Sequence, residues 1–194
     1  MKTFIIMSIA AISFTACNND TKSAKESDAK KMDSTTTQTQ TATNPETKST
    51  ASANAILPAY LQIKNGLAND NGKEAAAGGT AFMEAIGKMD KSSMTDAQKK
   101  VYEDITDDAK EMAEHISTNA GKIEHQREHF DMLSVDVYDL VKAFGGGQTL
   151  YYDHCPMYNN NKGANWLSET KEIKNPYLGK KMPTCGSVKE EIKQ

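Results

Sequence analysis

The chain predicts an all-α fold: an antiparallel four-helix bundle followed by a loop-rich C-terminal cap with room for short strands. Three observations predict it. Between about residues 55 and 144 apolar residues recur at steps of three and four, the spacing of one helix face. Runs rich in Asn, Asp and Gly interrupt that stretch at short intervals, as turns do. After Leu150 the helical periodicity gives way to Tyr, Asn, Lys, Gly and Pro.

The first helix is expected from about Ala55 to Asn69, with Leu57, Tyr60, Leu61, Ile63 and Leu67 on its apolar stripe and Pro58 in its first turn. Asn69-Asp70-Asn71-Gly72 stops it. The second, about Lys73 to Lys88, carries Ala75, Gly79, Phe82, Met83 and Ile86 on one face. Gly78-Gly79 weakens it by on the order of 1 kcal/mol each, which a close approach to a neighbouring helix would justify. The third starts near Thr95, where Thr95-Asp96-Ala97-Gln98 has the form of a capping box, and ends before Gly121. The fourth, about Lys122 to Phe144, repeats Ile123, Phe130, Val137 and Phe144 every seven residues and stops at Gly145-Gly146-Gly147. Short connections between such helices favour antiparallel neighbours. The tail is expected to hold short strands around Leu150-Tyr151-Tyr152 and a final helical turn from Ser187.

Ahead of the domain, residues 1–17 read as an export signal. Lys2 is followed by an uncharged apolar run from Phe4 to Phe14, too short to span a bilayer. Thr15-Ala16-Cys17 resembles the end of a bacterial lipoprotein signal, which implies cleavage before Cys17 and lipidation of Cys17. Residues 18–52 contain no aromatic residue and one large apolar one, Met32, so they are expected to form a disordered tether. Residues 53–194 are then the folded domain, with 150–194 as its cap. The implied location is the cell envelope, with the domain held to a membrane, the outer one, and facing the periplasm. The net charge of −3 and pI near 5.8, with no basic stripe, argue against nucleic-acid binding.

Chemistry concentrates in sulfur and imidazole. Of three cysteines, two remain for the folded domain, in Cys155-Pro156-Met157 and Met182-Pro183-Thr184-Cys185. Thiolate and thioether are soft donors that favour Cu(I), so Cys155, Met157, Met182 and Cys185 form one candidate ligand set, with His154 adjacent. The same thiols can instead form a Cys155–Cys185 disulfide, a staple suited to an exported, loop-rich cap. Both readings stay open at this stage. His125 and His129 are four residues apart and share one face of the fourth helix, where paired imidazoles can chelate a metal; Met132 extends that face. His115 reads as a surface residue, and Met83, Met89, Met94 and Met112 as core filler. Gln126 and Arg127 are expected to hydrogen-bond the cap backbone. No Cys-x-x-Cys, nucleophile–base spacing or phosphate-binding glycine loop is present, so the chain is not expected to be an enzyme.

The tail segments Tyr152-Asp153-His154-Cys155-Pro156-Met157, Gly163-Ala164-Asn165-Trp166-Leu167-Ser168, Ile173-Lys174-Asn175-Pro176-Tyr177-Leu178-Gly179 and Met182-Pro183-Thr184-Cys185-Gly186 carry a family resemblance. So does Ile123-Glu124-His125-Gln126-Arg127-Glu128-His129-Phe130 with Leu133-Ser134. Together they resemble an uncharacterised domain of Gram-negative lipoproteins that is also found attached to periplasmic adaptor proteins of copper/silver efflux systems. The resemblance implies copper, with silver as a second cargo, and an efflux adaptor or pump component as partner. Cys-Pro-Met alone is similar to short metal-binding modules of copper pumps, although Tyr158-Asn159 replaces the second half of their motif. The expected function is heavy-metal sequestration or handover. The competing one is an envelope interaction module whose two thiols are purely structural.

Overall fold

A computed structural model describes residues 52–193. The expected signal over 1–17, the lipidation site Cys17 and, but for Ser52, the tether over 18–52 lie outside the described residues. The fold is mostly helical with a small antiparallel sheet at the C-terminal end. Four long helices follow one another: α1 (Leu57–Ala68), α2 (Gly72–Gly87), α3 (Asp96–Thr118) and α4 (Ile123–Phe144). Each packs on the next, and α4 also meets α1 and α2. No helix among the described residues is long and apolar enough to cross a membrane.

The local signals act where the sequence puts them. Asn71 accepts from the Glu74 amide at 3.2 Å and so caps α2. Thr95 and Gln98 form a reciprocal capping box at the start of α3. Gly145, at φ 75°, ends α4 in a conformation that other residues resist. Phe82, Ile86, Ile116, Phe130, Leu133 and Val137 are fully buried between the helices. Each contributes roughly 1.5–3 kcal/mol by leaving water. The adjacent glycines of α2 serve two neighbours. A Cβ on Gly78 would stand 2.8 Å from the backbone nitrogen of Ile63 in α1, and one on Gly79 would stand 2.6 Å from the carbonyl oxygen of Ala113 in α3. Close helix approach is therefore what the pair permits.

The cap is more regular than the sequence suggests. β1 (Leu150–Cys155) is the central strand, flanked by β2 (Ala164–Ser168) and β3 (Ser187–Ile192), both antiparallel to it. The helical turn expected from Ser187 is instead β3. Val188 and Ile192, four apart, imitate a helix face, but Lys189 and Glu191 are exposed while Glu190 turns inward to bond Tyr138 and Lys142 of α4 at 2.7 Å each. Strand pairing with β1 satisfies the backbone that a lone terminal turn would leave to water. Between β1 and β2 the turn Tyr158–Asn161 holds three consecutive asparagines, Asn159, Asn160 and Asn161, at φ between 51° and 63°. Asn tolerates this left-handed region better than most residues.

Polar and aromatic anchors fix the cap to the helices. Trp166 of β2 meets Tyr177 edge-on, Tyr177 meets Phe130 of α4, and Phe130 stacks on Tyr60 of α1. Lys64, wholly buried in α1, pairs with Glu169 at 2.5 Å. Arg127 of α4 donates to the Pro176 carbonyl oxygen at 2.9 Å, to the Leu67 carbonyl oxygen at 3.1 Å and to Asp70 at 2.6 Å. It therefore ties the cap to α1 and α4, as expected. Gln126 does not reach the cap. Its amide donates to the carbonyl oxygens of Gly72 and Ile116, joining α2 and α3 to α4.

Candidate metal centre

The short turn from Asn119 to Lys122 folds α4 back along α3, so the end of one helix lies beside the start of the other. That places His115, in the last turn of α3, against His125 and His129, in the first two turns of α4. The rings of His115 and His129 stack 4.1 Å apart, His125 meets His129 edge-on at 4.4 Å, and His115 and His125 are 5.7 Å apart. One nitrogen from each of the three lies within 4.8 Å of the others. Met112, one turn before His115, brings its sulfur to 3.3 Å from Nδ1 of His129. Glu128 stands 3.5 Å from His125 and Glu111 3.9 Å from His115, so carboxylates border the imidazoles.

All three histidines are half-buried, so their ring nitrogens remain within reach of solvent. Burial lowers the His129 pKa, and the neighbouring His115 and His125 lower it further. His129 is thus kept neutral at neutral pH, the state in which imidazole ligates. Three imidazoles from two helices can hold a metal ion, with a thioether at hand as fourth donor or as the partner that orients His129.

The structure brings only some of the expected ligands together. His125 and His129 meet each other, but His115, expected at the surface, completes their cluster, and Met112 borders it rather than only filling core. The signal was available: Met112-x-x-His115 and His125-x-x-x-His129 each lie on one helix face, on either side of a turn of a few residues. Cys155 and Cys185 form a second, separate pair, with their sulfurs 3.2 Å apart and both thiols free. Among the described residues no histidine or carboxylate joins those sulfurs to make a three-ligand set.

Of the other expected sulfur-site residues, His154 faces away from the thiols, while Met157 and Met182 meet Cys185 through their backbones. Alternation along β1 turns His154 to the sheet face opposite Cys155, where its Nδ1 meets Oδ1 of Asn165 at 2.8 Å. Met157 leaves its side chain about half exposed, while its backbone amide faces the Cys185 sulfur. Met182 opens the turn that ends at Cys185, accepting from the Cys185 amide at 3.2 Å. Burial, then the Cys155 thiol beside it, raises the Cys185 pKa.

A buried carboxyl escaped the sequence reading. Asp153 lies two residues before Cys155 on the same face of β1, opposite Trp166. It is fully buried, both its oxygens lack a hydrogen-bond partner, and so does the Trp166 indole nitrogen. Burial pushes the Asp153 pKa up to about 7, against the pull of the Lys64 charge.

No curated protein and no solved structure shows a significant match to the chain. The stretch 56–149 matches a family model; it includes all three histidines and Met112 and ends before Cys155 and the tail motifs. Residues 56–149 therefore carry a domain of the family described as Protein of unknown function (DUF3347).

Proposed function

We propose that this protein binds a transition-metal ion, copper above others, at His115, His125 and His129. The observation that carries the reading is the convergence of three imidazoles from α3 and α4 on one point. Imidazole alone suits zinc, copper, iron and nickel; the Met112 thioether shifts the preference toward Cu(I), with Ag(I) as a second soft cargo. In this reading α1–α4 form an antiparallel four-helix bundle whose α3–α4 turn presents the ion near the surface. A lipid on Cys17 and the tether over 18–52 would hold the domain to the outer membrane, within reach of an efflux adaptor that accepts the metal. A half-open site with one soft donor suits handover better than a closed structural site does.

Titration of the full chain with Cu(I) against a competing chelator, repeated with Zn(II), tests this reading. One ion per chain is expected, bound at least about 100-fold more weakly after His115→Ala or His129→Ala. Copper binding that ignores both substitutions would refute it.

A further inference from the structure

We propose that Cys155 and Cys185 are a reversible covalent staple, closed by thiol–disulfide exchange that enters at Cys185. The pair is distinct from the imidazole centre and does not depend on it. Three observations support the assignment. The sulfurs lie 3.2 Å apart, within near-attack distance. No histidine or carboxylate joins the two sulfurs as a third ligand among the described residues. The two thiols differ in access: Cys155 is fully buried at the end of β1, and Cys185 is half-exposed in its turn.

The surroundings hold the two residues in register. Asn175, itself fully buried, accepts from the amides of Tyr177 and Leu178 and donates to the Cys185 carbonyl oxygen at 2.6 Å. Its backbone amide bonds the Pro183 carbonyl oxygen at 2.8 Å. Gly186 lets the chain cross β1 closely, since a Cβ there would stand 2.9 Å from the His154 carbonyl oxygen. The turn bearing Cys185 is thereby fixed over the strand bearing Cys155.

The step balances with a small disulfide, such as oxidised glutathione, as oxidant. The Cys185 thiolate attacks one sulfur of that disulfide, its S–S bond breaks, and one glutathione thiolate leaves. The Cys155 thiol then gives its proton to solvent and attacks the Cys185 sulfur, expelling the second glutathione thiolate, which takes up a proton. Two protein thiols are oxidised and one glutathione disulfide is reduced to two thiols. Closure links Cys155 to Cys185 around the segment that carries Tyr158, Trp166 and Tyr177.

The test equilibrates the full chain with reduced and oxidised glutathione, blocks remaining thiols, and maps peptides by mass, so that Cys17 is read separately. The expected result is a linked Cys155–Cys185 peptide and a Tm about 5–10 °C above that of the reduced chain. The Cys155→Ser chain should accumulate a glutathione mixed disulfide at Cys185, and the Cys185→Ser chain should leave Cys155 unreacted. Two free thiols at every glutathione ratio would overturn the proposal, as would faster modification of Cys155. Stoichiometric Cu(I) retained by His129→Ala and lost on Cys155→Ser would overturn it in favour of a sulfur metal site, and would also count against the imidazole centre.

Discussion

His115 and His129 stack face to face, their planes 3° apart, although one ends α3 and the other begins α4. Two neutral imidazoles tolerate that contact, and two imidazolium ions repel each other across it. The stack therefore connects proton binding to the stability of the α3–α4 turn.

Acid should weaken the metal-free domain through this cluster. The folded pKa of His129 lies below its ordinary value of about 6.5. Between the two values the unfolded chain binds more protons, so this contribution is complete above about pH 6.5 and is lost as pH falls through the window below. The Tm of the chelator-treated chain should drop more between pH 7.5 and pH 5.5 in the native sequence than in His129→Gln. Equal drops would exclude this linkage.

Asp153 should act with the opposite sign. Its folded carboxyl keeps its proton up to about pH 7, whereas an unfolded Asp releases it near pH 4. The folded state binds more protons across that window, so stability falls as pH rises through it. Asp153→Asn should leave Tm nearly unchanged at pH 4 and raise it clearly at pH 8. A loss of stability at pH 8 would mean that Asp153 is charged and partnered in the fold.

The cap should detach when Arg127 is removed. The guanidinium is 5 % exposed and serves Asp70 and the carbonyl oxygens of Leu67 and Pro176. Arg127→Met takes the guanidinium donors from all three, though Leu67 keeps the Asp70 amide and Asp70 keeps the Lys180 amide, and should destabilise the domain by about 1–3 kcal/mol. Denaturant unfolding followed by Trp166 fluorescence reads both the loss and any early release of the cap.

The α2–α3 contact should reject one methyl group. Gly79→Ala places a Cβ 2.6 Å from the Ala113 carbonyl oxygen, and the helices must separate. A loss of roughly 1–3 kcal/mol is expected despite the better helix propensity of alanine. Gly87→Ala, where a Cβ meets nothing within 4 Å, is the control and should be neutral or stabilising.

The helices were legible because their signals are local. The capping box at Thr95 and Gln98, the glycine stop after Phe144 and the seven-residue repeat of α4 each act within a few residues. The sheet was harder to read: β3 has two apolar positions in six residues, and its pairing with β1 spans more than thirty residues of chain. The thiol pair was visible as a motif because both halves carry a proline and a methionine. His115 was missed because a histidine on a charged helix looks like surface until the turn after it sets α4 alongside. Asp153 was invisible in sequence, since nothing beside it in the chain announces that Lys64 and Trp166 will enclose it.

X-ray absorption at the copper edge of the full chain loaded with one Cu(I) tests the imidazole centre most directly. Nitrogen scatterers with the multiple-scattering signature of imidazole, and at most one sulfur, are predicted. That pattern should disappear in His115→Ala and persist in Cys155→Ser. A first shell of two or more sulfurs, unchanged by His115→Ala, would contradict it.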